Sequence, residues 1–240
     1  MSSRKTVVVL DITGQLGCSV ARAVASSEEF EVRGITNNLL NEGSWNLQGN
    51  IPLAVPCDLR DRAQLQKILS GAHACFLSTS TNFDDPDCVE KEITQGCLVA
   101  DVCKSEHVRH VIFISQLHSN NICKIMARHL VAKAEIERYM RHLDLPLTCL
   151  ILPVYYQDLC GFLRPKTSDG FSYDIEIPMG TIPLDMISVE DIGPIVVSVL
   201  SQRETYLHKT LSVCGDKLTV AEMAYILTKH LRPKQAADDL

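Results

Sequence analysis

The sequence predicts an α/β fold, a doubly wound parallel sheet with a smaller second lobe, and three observations predict it. Short runs of β-branched and apolar residues recur through residues 5–153, each followed by a stretch with helical spacing. The first of these runs leads into a turn with two glycines and then a helix start. After Pro153 the alternation gives way to a Pro-, Gly- and Asp-rich stretch. Residues 5–153 are therefore expected to form a nucleotide-binding domain. Residues 154–240 are expected to form a smaller α/β lobe over the carboxyl ends of the strands.

The elements follow in order. Residues 6–10 (TVVVL) read as the first strand, and Ser19 to Ala25 as the start of the first helix. Residues 31–36 (EVRGIT) form the second strand, which Asn37 and Asn38 turn. Residues 39–49 read as a loop or a frayed helix and 53–55 as a short third strand. Arg62 to Leu69 has helical apolar spacing, and Gly71 stops it. Residues 74–77 give a fourth strand, ending in the polar run Ser78 to Asn82. Residues 89–106 are a long helix whose expected apolar face is Ile93, Cys97 and Ala100, with Val108 near its end. Residues 110–114 (HVIFI) form a fifth strand closing at Ser115, 125–142 another helix, and 147–152 a sixth strand.

Beyond Pro153, the alternation from Tyr173 to Ile177 suggests a hairpin. Ser188 caps an expected helix from Asp191 to Leu200, and residues 210–213 form a short strand. Thr219 and Glu222 make a capping box for a helix to His230, which Pro233 ends. Residues 235–240 read as a disordered tail.

Bulk properties narrow the function. A chain of 240 residues with 46% hydrophobic content buries a substantial core. A net charge of −6 argues against direct nucleic-acid or anionic-membrane binding. No apolar run reaches membrane-spanning length, and no secretory leader is expected. The ten cysteines form no C-x-x-C pair, so zinc and a disulfide framework are not expected. A reducing compartment, cytoplasm or nucleus, fits best.

Strand, glycine turn and helix N-terminus together suit a pyrophosphate: backbone approaches closely, and free N–H groups face the anion. Thr13, Gly14 and Gly17 carry this pattern, but Asp11 stands where such a turn usually opens with glycine. Its Cβ crowds the turn. Its charge opposes the phosphates by on the order of a few kcal/mol at an effective dielectric near 20. The alternative is that Asp11 rotates to solvent or caps the helix start.

The landmarks VVVLDITGQLGCSVAR, GAHACFLST, ITQGCLVADVCK, AKAEIERYMRHLDLP, LPVYYQD and MISVEDIGPIVVSVL together resemble the NmrA-like family, atypical members of the short-chain dehydrogenase group with a Rossmann-type sheet. The resemblance covers residues 5–232. It implies an NADP(H)-binding regulatory or redox-sensing protein that acts through protein partners, with a homodimer as one form. It also implies cofactor contacts at Asp11, Thr13, Gly14, Gln15, Leu16, Gly17, Asn37, Asp58, Leu59, Thr79, Lys133, Tyr155, Tyr156, Gln157 and Asp158.

The departures weaken that expectation. Asp11 and Ile12 replace two family glycines, and Thr94 replaces a family lysine. Asn37 replaces the arginine that grips the extra phosphate of NADP(H), with Arg33 nearby as an imperfect substitute. Short-chain dehydrogenases need a tyrosine four residues before the lysine, and His129 holds that place here. No catalytic residue is assigned; His129 and Ser115 stand where the fold would put one. Conventional dehydrogenase chemistry is not expected. The alternative is an NADPH-dependent reductase of small electrophiles such as quinones, since such substrates take protons from water. The family chain continues past this C-terminus, so Ile226, Leu227 and Leu231 are expected to be partly exposed.

Overall fold

The computed structural model describes residues 4–36, 55–167 and 172–230. Asn37, the loop at 39–49, Leu231 and the tail at 235–240 lie outside them. The chain divides into two compact units, Met1–Leu152 with Glu190–Ser212, and Pro153–Val189 with Val213–Leu240.

The first unit is built on a parallel sheet. Its strands are β1 (Lys5–Leu10), β2 (Phe30–Thr36), β3 (Val55–Pro56), β4 (Ala74–Leu77), β5 (His110–Ser115), β6 (Leu147–Ile151) and β9 (Thr210–Ser212). They lie side by side in the order β3-β2-β1-β4-β5-β6-β9, and every neighbouring pair is parallel. The central strands are buried on both faces, which is why they read as unbroken apolar runs.

Alternate side chains serve the two faces. Val8, Leu10, Cys75, Leu77, Val111 and Phe113 join one core. Leu65 and Leu69 of α2 (Arg62–Leu69) enter the same core, with Val99 and Cys103 of α3 (Cys88–Ser105) and Ile136 and Met140 of α5 (Arg128–His142). Helix α1 (Gln15–Ala25) stands outside that core and packs on β1 and β2. It meets α6 (Val189–Ser201) at Ser19, whose hydroxyl donates to the Glu190 carbonyl and accepts from the Gly193 N–H at 3.1 Å. Pro194 has no N–H to offer the carbonyl four residues back, which frees Glu190 for the serine. A Cβ on Gly193 would stand 2.3 Å from the Ser19 carbonyl oxygen, so only glycine permits this crossing.

The structure corrects several expectations. Residues 190–212 return to the first unit, and β9 lengthens its sheet. The buried stripe of α3 is Cys88, Glu92, Gly96, Val99, Ala100, Val102 and Cys103; Ile93 and Cys97 are only half-buried. Helix α1 begins at Gln15, ahead of the expected Ser19. The helix expected from residue 125 begins at Arg128, as α5, and a separate short helix, α4 (Ser119–Cys123), precedes it and ends at Lys124 in a left-handed conformation.

The second unit has its own sheet, β7 (Val154–Tyr155), β8 (Leu184–Ile187) and β10 (Asp216–Leu218), in the order β10-β8-β7. The expected hairpin at 173–177 is reduced, among the described residues, to one antiparallel bridge between Lys166 and Asp174. Helix α8 (Val220–His230) begins at the predicted capping box: the Glu222 carboxylate accepts from the Thr219 N–H at 2.8 Å, and the Thr219 hydroxyl accepts from the Glu222 N–H. The remaining short helix of the first unit is α7 (Arg203–Tyr206).

Candidate functional site

The strand order reverses direction at β1, which lies between β2 and β4. In an open parallel sheet this switch point leaves a crevice at the carboxyl ends of the two central strands. Val9 pairs with Phe76, so the turn after β1 and the polar run after β4 emerge side by side.

The turn after β1 is tight. The Gly14 N–H donates to the Asp11 carbonyl at 3.0 Å, and the Ile12 N–H to the Ile35 carbonyl at 2.9 Å. A Cβ on Gly17 would stand 2.0 Å from the Asp11 carbonyl oxygen, so the helix meets the turn only through glycine. Helix α1 starts at Gly14 without a side-chain cap and carries no acidic residue in its first turn. Its N-terminal N–H groups and the positive end of its dipole are therefore offered to an anion. Gln15 is exposed there and Leu16 half-buried.

Asp11 sits in the mouth of this cradle. Its φ of 57° is left-handed, a conformation that glycine adopts freely and aspartate tolerates better than most. One carboxylate oxygen lies 2.4 Å from where a Gly14 Cβ would be. The other accepts from the Thr13 hydroxyl at 3.3 Å, and that hydroxyl also bonds Thr36 at 2.9 Å. The carboxylate thus neither turns away nor disorders the cradle; it lies beside the helix N-terminus.

A second cluster flanks the crevice after β4. Glu92 on α3 is buried, with a side chain only 1% exposed. Its Oε1 accepts from Lys133 Nζ at 2.6 Å and from the Thr79 hydroxyl at 2.6 Å, and its Oε2 from the Thr81 hydroxyl. Thr79 and Lys133, both predicted, are therefore joined by a residue that sequence reading missed. The signal was a carboxylate within the buried stripe of α3, where an apolar side chain is expected.

Other predicted positions are occupied by structural duties. Buried Ser115 donates to Glu137, which also accepts from Arg141, so its hydroxyl is not a free catalytic group. His129 is exposed and meets the Phe83 ring edge-on at 5.7 Å. Partial burial, then the Lys133 ammonium, lowers its pKa below the usual histidine value. Arg33 donates to the carbonyls of Ile68 and Ser70 at the end of α2 and does not stand in for a phosphate clamp. Asp58 is chelated by Arg60 through Nε and Nη2, each at 3.0 Å, and that guanidinium holds its carboxyl below the usual range. Leu59 packs against the core, and Thr94 bonds back to the Glu90 carbonyl.

Tyr155, Tyr156, Gln157 and Asp158 all lie in the second unit. Asp158 accepts from the Tyr155 N–H at 2.9 Å, closing the start of a 3-10 helix, Tyr156–Cys160. The Tyr156 hydroxyl donates to Asp216 of β10, and Gln157 accepts from the Val189 N–H where α6 begins. Burial, with Asp158 nearby, pushes the Tyr155 phenol up to about 12. Among the described residues no His, Cys, Asp and Glu cluster could hold a metal ion, and no helix is long and apolar enough to cross a membrane.

The NmrA-like family profile matches residues 3–236. The chain belongs to the NmrA-like family. An NmrA-like family domain-containing oxidoreductase of Aspergillus campestris, cpsB, is 29% identical over 237 residues, covering 90% of this chain and 69% of that protein. Among solved structures, NmrA, a negative transcriptional regulator in complex with NADP, superposes with a TM-score of 0.81 at 22% identity, covering 95% of this chain and 72% of the other. The Citrobacter sp. triphenylmethane reductase complexed with NADP(H) gives 0.74 at 19% identity, covering 94% and 75%. These structural likenesses establish the fold.

Proposed function

We propose that this chain is an NADP(H)-binding regulatory protein of the NmrA-like family whose nucleotide site is weakened and whose output passes through protein partners. The observation that carries this reading is the Asp11 carboxylate beside Gly14 at the open N-terminus of α1. The cradle itself fits a pyrophosphate: glycine turn, uncapped helix and switch point coincide. The added carboxylate opposes it. At about 4 Å and an effective dielectric near 20, two unit charges repel by about 4 kcal/mol, and solvent exposure reduces this. A loss of about 3 kcal/mol is roughly a hundredfold in affinity.

In this reading Thr13, Gly14, Gln15, Leu16 and Gly17 hold the pyrophosphate. Asp58 and Leu59 lie near the adenine, and Lys133 meets the ribose next to the nicotinamide. The nicotinamide group, when bound, supplies hydride chemistry. The protein offers no phenol at position 129 to donate a proton. Titration calorimetry with NADPH and NADP⁺ tests the reading directly. Micromolar or weaker binding supports it, and a complete absence of binding leaves only protein contacts.

A partner surface is part of the proposal. On α8, Tyr225 and Ile226 are exposed while Met223 alone is buried among that helix's described side chains. We assign self-association or partner docking to this face. Ten free cysteines, six of them buried, support a reducing location in cytoplasm or nucleus.

The reductase alternative has its own support in the relatives named as oxidoreductases. Turnover of NADPH with a panel of quinones would favour it over the regulatory role.

A further inference from the structure

The Lys133–Glu92 pair builds a fully buried carboxylate into the fold at the crevice. Burying a carboxylate is expensive unless donors surround it. Glu92 has three: the Lys133 ammonium and the Thr79 hydroxyl on one oxygen, and the Thr81 hydroxyl on the other. An ionised carboxylate accepts at both oxygens, and this one is fixed from two sides. Thr79 and Thr81 come from the segment after β4, Glu92 from α3 and Lys133 from α5, so three elements converge on one group. Lys133 remains 12% exposed. An ammonium has three donors, and among the described residues Lys133 uses one, toward Glu92.

We propose that Glu92 is the positioning residue of the nucleotide site. It holds the Lys133 ammonium at the crevice so that the remaining donors meet the ribose hydroxyls beside the nicotinamide. This rests on the NADP(H) reading above and adds to it a residue on which the nicotinamide half of the ligand depends, separately from the pyrophosphate half. Without Glu92 the lysine side chain regains its rotamers, and the ordering of those donors is lost. The Thr79 and Thr81 hydroxyls are part of the same device, since they fix the carboxylate that fixes the lysine.

The experiment is calorimetry on the full chain with two ligands, NADPH and ADP. ADP carries the adenosine and pyrophosphate but no nicotinamide ribose. Glu92→Gln is expected to weaken NADPH binding about ten- to a hundredfold and leave ADP binding within about twofold. The enhancement of NADPH fluorescence on binding should fall with it. Thr81→Val, which removes one hydroxyl from a half-buried position, should move NADPH affinity the same way by a smaller factor and serves if Glu92→Gln does not fold. A folded Glu92→Gln with unchanged NADPH affinity overturns the proposal. So does an equal loss for NADPH and ADP, or, where only Thr81→Val folds, an unchanged NADPH affinity in that variant. A wild-type chain that binds neither ligand overturns the nucleotide reading itself, and the positioning role with it.

Discussion

A carboxylate oxygen of Asp11 lies 2.4 Å from where a Cβ on Gly14 would stand. The same turn brings the Asp11 carbonyl oxygen to 2.0 Å from a Cβ on Gly17. The two glycines therefore resist substitution for different reasons. At Gly14 the nearest obstacle is the end of the Asp11 side chain, which can rotate, with the Asp11 carbonyl oxygen next at 3.3 Å. At Gly17 it is backbone, which cannot move without dislodging α1. Gly17→Ala is expected to destabilise the chain by at least about 2 kcal/mol, and Gly14→Ala by less than about 1 kcal/mol. Urea midpoints at unchanged slope measure this, and the reverse order would contradict the turn geometry.

Acid should unfold the first unit through His110. This residue is fully buried at the start of β5, and its Nε2 bonds the Thr148 hydroxyl at 2.8 Å. Thr148 donates onward to the Tyr206 carbonyl, so the histidine is the donor to Thr148, and its buried Nδ1 has no partner among the described residues. Burial, then the positive charge of Arg203, lowers its pKa to about 4 from 6.5. The unfolded chain therefore binds the proton more readily. The stabilisation is full above the unfolded value and is lost as pH falls from about 6.5 toward about 4, up to about 3 kcal/mol. Urea midpoints near neutrality and in mild acid should diverge in the wild type and converge in His110→Gln. Equal acid sensitivity in both would assign the effect elsewhere.

The sheet was legible because its strands are buried on both faces, so Val7 to Leu10 and His110 to Ile114 read as continuous runs. The sheet of the second unit was not. Val154–Tyr155 and Asp216–Leu218 are too short for a period to show, and their pairing is made by residues far apart in sequence. The glycine turn was legible for the same reason it is tight: few residues other than glycine fit there. The conformation of Asp11 and the role of Glu92 were not, because each is set by contacts across the fold. Ser115 illustrates the limit. A serine closing a strand looks available, yet its hydroxyl is held by Glu137, on a helix that comes later in the chain.

His129 should prove dispensable for any turnover. Its ring is exposed and lies against Phe83, and its lowered pKa leaves it neutral near pH 7. If quinone reduction is found, His129→Phe should retain it within about twofold, because the reduced quinone takes its protons from water. Loss of NADPH-dependent ketone reduction in that variant would show that the imidazole had taken over the missing phenol's role.

The exposed face of α8 predicts association. Ile226→Glu should shift the chain toward monomer in sedimentation velocity without lowering its melting temperature, since Ile226 is 42% exposed. A wild-type chain that is monomeric at high concentration, with no response to the substitution, would remove α8 as a self-association surface.

On the proposed function, Asp11 weakens a nucleotide cradle that is otherwise intact. The most direct test is calorimetric titration of NADPH into the wild type and Asp11→Gly, at low salt where the charge effect is least screened. Glycine removes both the carboxylate and the left-handed strain. The wild type should bind weakly and the variant on the order of a hundredfold more tightly. Equal affinities in the two chains would contradict this reading.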